Sequence, residues 1–316
     1  TGRGDPQDIA GFNRYLVSAG ALYSRLLKPA LDSLSTSSGG PNVFPGDKPA
    51  RLILVPDGSL CSIPFDALIC NPTNTGFVNY ATPEYLLTRF PVTYEFSSRM
   101  IGIRERVARA KFPDRVLALS FGRGKPGTAG PSGLQWANRE LVAIRNSYPG
   151  RFLRNGSATE SSFKKYGPRY GLIHLALHGQ AGQADNDSTL LFFRRKANDP
   201  DDGYLMQEEL WALSLNARLV VLSSCETGAG QLFQGEGIYS IARAFAIAGC
   251  QSLVSTLWPI PDKQTVSIMD NFYRSLRKGA PPGQALQQAK LSYIAQAGPY
   301  AAHPLFWGSP IVIGDW

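Results

Sequence analysis

The sequence is low in charge and in cysteine and has no long apolar run. Charged residues make up 18% of its 316 positions, hydrophobic residues 43%, and four positions are cysteine. No stretch approaches the ~18 uninterrupted apolar residues of a membrane-spanning helix, and we find no secretion signal. These absences argue against a membrane protein and a disulfide-rich scaffold, and they favour a soluble globular protein with a sizeable core.

The cysteines match no metal-binding or disulfide pattern. Cys61, Cys70, Cys225 and Cys250 include no Cys-x-x-Cys pair, and no paired histidines accompany them. We therefore predict no metal, no cofactor and a cytoplasmic location. Cys61 and Cys250 lie in apolar segments, where a cysteine usually behaves as a small buried hydrophobe.

Basic residues exceed acidic ones, which gives a net charge of +8. Nucleic-acid binding is one explanation of such a charge. However, the basic residues are scattered, and the densest cluster is the short run 194–196. We favour a solvated surface and expect no nucleic-acid partner.

Short apolar runs alternate with helical stretches after Pro113, which predicts an α/β fold with a mostly parallel central sheet flanked by helices. The predicted strands are Val116–Leu119, Leu172–Leu177, Leu219–Leu222, Leu253–Leu257 and Ile311–Ile313, and the helices are Gln135–Ser147, Ser157–Lys165, Glu236–Gly249, Asp262–Lys278 and Gln284–Ala297. An N-terminal α+β lobe precedes them, with helical spacing over Ile9–Leu34, strands at Leu52–Val55, Leu60–Ile63 and Leu86–Tyr94, and a helix over Ser98–Ala110. We place the boundary between the lobe, 1–112, and the core, 113–316.

Two predicted strands end in residues that can perform covalent chemistry. His178 ends the first and is followed by Gly179, whereas Cys225 ends the second and is followed by Gly228. Reactive groups in open α/β sheets collect at the carboxyl ends of strands. An imidazole there can take the proton of a thiol, which then attacks a carbonyl. The backbone N–H groups of Gly179 and Cys225 would hold the oxyanion.

Each residue alone has a structural explanation. A histidine in an apolar strand is often a hydrogen-bonded core residue, which suits His174, and a cysteine at a strand end is often structural. A nucleotide-binding protein is a further alternative, because Gly122–Gly127 matches Gly-x-Gly-x-x-Gly. Prolines and glycines delay the next helix until about Gln135, so no helix N-terminus is available there for a phosphate.

At these residues the sequence resembles the CHAT peptidases, relatives of caspases, separase and legumain. The resembling segments are Leu54–Gly58, Ile63–Leu68, His174–Gly179, Val221–Gly228, Gly235–Gly249, Ser255–Asp262 and Pro304–Trp307. The resemblance implies a caspase–hemoglobinase fold and a protein-cleaving dyad of His178 and Cys225. The alternative is a non-catalytic scaffold that retains the fold.

The resemblance also implies partners. Bacterial relatives act in signalling and anti-phage defence and often cut a companion protein, so we expect a protein substrate and a regulatory partner. CHAT domains commonly follow tetratricopeptide repeats, and none is visible here. The start at Thr1 rather than at Met fits a piece of a longer protein that lacks an upstream repeat domain, and the alternative is a different arrangement of partners.

A carboxylate beside the scissile bond would select Arg or Lys through charge-assisted hydrogen bonds. Asp262 is the first candidate, since Trp258–Asp262 resembles the separase segment whose aspartate receives an arginine. Asp262 is also a candidate helix N-cap. The other candidates are Glu226, Glu236 and Asp187.

Overall fold

The computed structural model describes residues 8–37, 51–73, 76–101, 114–121, 132–177, 179–180, 190–194, 199–223, 236–258 and 260–314. Strands and helices alternate over these ranges as the apolar pattern predicts. The strands are β1 Leu52–Leu54, β2 Val92–Tyr94, β3 Val116–Phe121, β4 Gly150–Arg154, β5 Leu172–Leu177, β6 Gly179–Gln180, β7 Leu190–Phe192, β8 Tyr204–Leu205, β9 Leu219–Leu222, β10 Ser252–Thr256 and β11 Pro310–Ile313. The helices are α1 Ile9–Leu26, α2 Lys28–Ser37, α3 Leu86–Arg89, α4 Ser132–Ser147, α5 Glu160–Tyr166, α6 Gln207–Trp211, α7 Glu236–Ile247, α8 Asp262–Arg277 and α9 Pro282–Gln296.

Eight strands form the central sheet in the order β1-β2-β11-β10-β9-β5-β3-β4. Every neighbouring pair is parallel except β10 and β11. The prediction of a mostly parallel sheet flanked by helices is therefore confirmed. Strands from the N-terminal lobe and from the core share this sheet, and the boundary near residue 112 stays a prediction.

The central strands β5 and β9 are buried along their whole length. Successive side chains of a strand point to opposite faces, so both faces of this part of the sheet must be covered. Helix α4 contacts β3 and α8, α8 contacts α9, and α9 contacts β11, which forms a helical layer over the sheet. The predicted bounds of β5 and β9 match the structure to the residue.

Helix α7 stops where a glycine turns the chain into β10. Gly249 has a φ of +101°, and a Cβ at this position would lie 2.4 Å from the carbonyl oxygen of Leu215. Any other residue would meet both the unfavourable backbone region and this close contact. The predicted helix end at Gly249 is thus within two residues of Ile247, the last residue of α7.

Two predictions for the N-terminal lobe need correction. The predicted strand Leu60–Ile63 lies largely in a 3-10 helix, Gly58–Ser62, which Asp57 caps by accepting from the backbone N–H of Gly58 at 2.8 Å. The predicted strand Leu86–Tyr94 contains α3 before β2. Short apolar runs do not distinguish a buried strand from a buried helical turn.

Pro29 divides the helical pattern of Ile9–Leu34 into two helices. Helix α1 ends at Leu26, and Pro29 lies in the first turn of α2, where a missing N–H costs no hydrogen bond. The predicted helix Ser98–Ala110 is described only over 98–101, which is helical. Strand β4 and the small sheet β6-β7-β8 were not predicted.

Candidate active site

Strands β5 and β9 lie side by side in the sheet and end at the same edge. Their register pairs Leu172 with Leu219 and Leu175 with Leu222. The ladder extends one residue further, because the backbone N–H of Ser223 donates to the carbonyl oxygen of Leu175 at 3.1 Å. The carboxyl ends of these two strands are therefore held together by main-chain hydrogen bonds.

His178 and Cys225 follow these strand ends but lie outside the described residues, as do Asp187 and Glu226. Counted along the chain, His178 is three residues beyond Leu175 and Cys225 is three beyond Leu222, its pairing partner. The proposed oxyanion residue Gly179 begins β6 and pairs with Leu191 of β7. Its N–H and that of Cys225 remain predicted oxyanion donors.

A buried polar cluster lies directly before the two strand ends. Glu140 of α4 accepts a hydrogen bond from the hydroxyl of Ser223 at 2.9 Å through Oε2. Its Oε1 lies 3.3 Å from His174 Nε2, an ion-pair distance without good hydrogen-bond geometry. On the opposite side of the ring, His174 Nδ1 lies 3.0 Å from the hydroxyl of Tyr273 in α8. The cluster thus joins two helices to two strands.

The hydrogen-bond partners assign a direction to this cluster. Burial, reinforced by the charge of Glu140, raises the pKa of Tyr273 well above its usual value, so its hydroxyl is protonated and can donate to His174 Nδ1. The remaining ring proton then belongs on Nε2, which faces the carboxylate. Ser223 donates to Glu140 directly, whereas Tyr273 is linked to Glu140 only through the ring of His174.

The interpretation of His174 as a hydrogen-bonded core residue is confirmed, because its side chain is fully buried and contacts Tyr273. Sequence reasoning assigned no role in the site to the three residues around it, Glu140, Ser223 and Tyr273. The position of Ser223 could have been found from the alternation of side chains along β9. This alternation puts Ser223 on the same face as Val221, the pairing partner of His174. No sequence motif around Glu140 or Tyr273 predicts that their side chains contact His174.

Two specificity candidates begin helices after strands of the central sheet. Glu236 is the first residue of α7, which follows β9, and Asp262 is the first of α8, which follows β10. Pro261, rather than Asp262, occupies the N-cap position of α8. The selection of basic residues by Asp262 or Glu236 stays a prediction.

The other three thiols are buried. Cys61, Cys70 and Cys250 are all buried, so the prediction of buried side chains at Cys61 and Cys250 is confirmed. Cys250 also donates to the carbonyl oxygen of Ser252 at 2.9 Å. Because these three thiols are buried, an added electrophile should react with them less readily than with an exposed thiol.

Three carboxylates converge in the described part of the chain with oxygens within 4.8 Å of one another, as a cation site would require. They belong to Glu160, Asp201 and Glu209. The ammonium of Lys164 already lies among them, at 2.7, 2.7 and 2.8 Å respectively. A side-chain cation therefore supplies the charge that a metal ion would bring.

The described fold and its paired strand ends define a caspase-like α/β domain. A CHAT-domain family model matches residues 16–315, so the chain belongs to the CHAT domain family. The curated relatives include tetratricopeptide repeat protein 28 of mouse and of human, each 24% identical over 336 aligned residues. The match covers 93% of this chain and 13% of either relative, so the chain spans about an eighth of their length.

Solved structures with a similar fold include the separase–securin complex of Saccharomyces cerevisiae. A crystal structure of this complex aligns with a TM-score of 0.54 and 13% identity over 84% of this chain and 15% of the matched chain. At this identity the likeness shows the fold alone. Among the helices that the structure describes, none is long and apolar enough to span a bilayer.

Proposed function

We propose that this chain is a cysteine endopeptidase in which His178 activates Cys225. The observation that carries the proposal is the register between β5 and β9, since the two residues follow paired positions by the same count. In parallel strands, paired residues face the same side, and alternation returns to that side every second residue. His174 therefore faces the same side as Val221, and we expect the same alternation, continued along both chains, to bring His178 and Cys225 to that side. Membership of the CHAT family supports the same pair.

The chemistry needs no group beyond these side chains and the backbone. His178 takes the proton of Cys225, and the thiolate forms a bond to the peptide carbonyl carbon. Backbone N–H groups of Gly179 and Cys225 stabilise the oxyanion. As the C–N bond breaks, the imidazolium gives its proton to the leaving amine, and a water molecule then hydrolyses the thioester.

The proposed substrates are proteins cut after Arg or Lys. Support comes from Asp262 at the start of α8, which only five residues, 257–261, separate from the carboxyl end of β10. Glu236 occupies the corresponding first position of α7 after β9. A carboxylate near this edge would bind a guanidinium or ammonium group through charge-assisted hydrogen bonds.

A regulatory partner is part of the proposal. The similar separase was solved in a complex with securin. The related mouse and human proteins are named for tetratricopeptide repeats and extend far beyond the matched region. A bacterial signalling or defence role rests on the family resemblance, and a cytoplasmic location rests on the lack of a disulfide pattern among the cysteines.

Labelling with a peptidyl-arginine acyloxymethyl ketone tests the proposal. We expect one adduct, mapped by mass spectrometry to Cys225, and none in Cys225→Ala. His178→Ala should slow labelling by about 100-fold or more, because the thiol loses its base. Cys250→Ala is the matched control and should react like the wild type, since Cys250 is buried. A wild type that gives no Cys225 adduct would favour the scaffold alternative.

A peptide-library digest with the wild type beside Cys225→Ala then identifies the cleaved bond. Cleavage after Arg or Lys by the wild type alone is the expected result. Cleavage by both proteins would reveal a contaminating protease, and cleavage after other residues would contradict the assigned specificity.

A further inference from the structure

We infer that Glu140 is a positioning residue that sets the distance between the two catalytic side chains by holding both of their strands. The inference rests on the proposed function and names residues that stand behind the dyad. Glu140 accepts from Ser223, two residues before Cys225, and faces His174, four residues before His178. One carboxylate therefore bridges β9 and β5 just before the positions where chemistry is proposed.

The bridge is rigid because every part of it is buried. Glu140 is 3% exposed, Ser223 is 6% exposed and His174 is fully buried. A buried carboxylate without its donors is costly, so these contacts resist local opening. The carboxylate comes from α4, which packs against α8, and α8 supplies Tyr273 on the far side of His174. Two helices thereby fix where the strand ends lie.

Dyad chemistry is sensitive to this kind of support. Proton transfer between imidazole and thiol requires contact at hydrogen-bond distance. A displacement of about 1 Å, caused by a residue that never touches the substrate, can reduce a rate by roughly 100-fold. Loss of Glu140 contacts is thus expected to affect the chemical step rather than substrate binding.

Ser120 provides a matched control within the same sheet. It is also a buried serine near the carboxyl end of a strand, β3, and its hydroxyl lies 3.4 Å from Asn138 of the same helix, α4. Strand β3 pairs with β5 on the side away from β9. Ser120→Ala therefore removes a similar contact to α4 without touching the junction between β5 and β9.

The experiment measures the concentration dependence of Cys225 labelling by the peptidyl-arginine acyloxymethyl ketone, which separates kinact from KI. We expect Glu140→Gln and Ser223→Ala to lower kinact by about 10- to 100-fold, as loss of supporting contacts does elsewhere. KI should stay within about 3-fold. Ser223→Thr keeps a hydroxyl at this position, so it should have most of the kinact that Ser223→Ala loses. Ser120→Ala should change neither constant by more than about 3-fold.

The possible outcomes separate the inference from the proposed function. A purely structural role would lower the melting temperatures of the variants while leaving kinact unchanged, and that result overturns the inference alone. An equal loss of kinact in Ser120→Ala overturns it as well. If Glu140→Gln does not fold, the comparison of Ser223→Ala with Ser223→Thr decides. Absence of labelling in the wild type overturns the proposed function, and the positioning role with it.

Discussion

Lys290 of α9 forms a buried ion pair with Asp66, which lies 224 residues earlier in the chain. The same ammonium lies 5.8 Å from the ring centroid of Trp307. Burial raises the pKa of Asp66 and lowers that of Lys290, so each charge depends on the other for its stabilisation. Two segments of the family resemblance, Ile63–Leu68 and Pro304–Trp307, therefore meet at one lysine of the core.

Removing one member of this pair should destabilise the protein strongly. Lys290→Met keeps much of the side-chain volume but leaves Asp66 buried without its cation. The expected loss is about 3–5 kcal/mol in the free energy of unfolding, the usual cost of breaking a buried pair. Urea denaturation followed by circular dichroism measures it.

A double variant distinguishes the loss of a partner from the loss of packing. Asp66→Asn combined with Lys290→Met removes both charges, so more than half of the lost stability should return. If the double variant is no more stable than Lys290→Met, then packing around Trp307, and not the unpaired charge, accounts for the loss.

The parallel strands were predicted well because their signal is local and continuous. Residues 219–222 are apolar throughout and 172–177 are apolar except for His174, as expected of strands covered on both faces, and their bounds matched. Short runs were ambiguous: Leu60–Ile63 and Leu86–Arg89 are apolar enough for strands but form helical turns. At Leu60–Ile63 the side chain of Asp57 caps a 3-10 helix, and a hydrophobic pattern does not report such a cap.

The candidate site also contains residues that the sequence pattern identifies and residues that it does not. His178 and Cys225 were identified because each follows an apolar strand and has a glycine within the next three residues, Gly179 and Gly228. Their supporting partners had no such signal, since Tyr273 lies 99 residues from His174 and Glu140 lies 83 residues from Ser223. Contacts of this range depend on how helices pack on the sheet, which the sequence pattern of a single helix does not specify.

His303 should make stability depend on pH below neutrality. Its Nδ1 accepts from the backbone N–H of Leu305 at 2.9 Å, and its ring packs 4.3 Å from that of Tyr80. Burial lowers the pKa of His303 below the ordinary 6.5. The unfolded chain therefore binds the proton first, so stability is full above about pH 6.5 and declines as pH falls toward the folded-state pKa.

The measurement is the melting temperature between pH 7.0 and 5.5, compared with His303→Asn, which keeps a hydrogen-bond acceptor but does not titrate. We expect the wild type to lose melting temperature across this range and the variant to change less. Equal slopes would assign the dependence to other groups.

Lys164 should stabilise the junction between α5, α6 and the chain before β8. Burial alone would lower the pKa of Lys164, but hydrogen bonds to Asp201, Glu160 and Glu209 outweigh burial and raise it. Lys164→Met would leave three neighbouring carboxylates to repel one another, one of them, Glu160, buried. We expect a loss of about 2–3 kcal/mol by urea denaturation.

The adjacent Lys165 is the control for Lys164. It is exposed and lies 5.5 Å over the ring of Tyr166, so Lys165→Met should cost less than about 0.5 kcal/mol. Similar losses in the two variants would show that the convergence of carboxylates on Lys164 contributes little.

Asp262 should control the preference for basic residues. Asp262→Ala removes the proposed partner of the substrate's Arg or Lys, so kcat/KM for such peptides should fall by about 10- to 100-fold, equivalent to the ~1.5–3 kcal/mol of a charged hydrogen bond. Asp270→Ala is the matched control: it lies on the same helix, and its carboxylate pairs with Arg274 at 2.7 Å. That variant should cut basic peptides at the wild-type rate. If Asp262→Ala also cuts them normally, while remaining folded, the specificity belongs to another carboxylate, with Glu236 the next to replace.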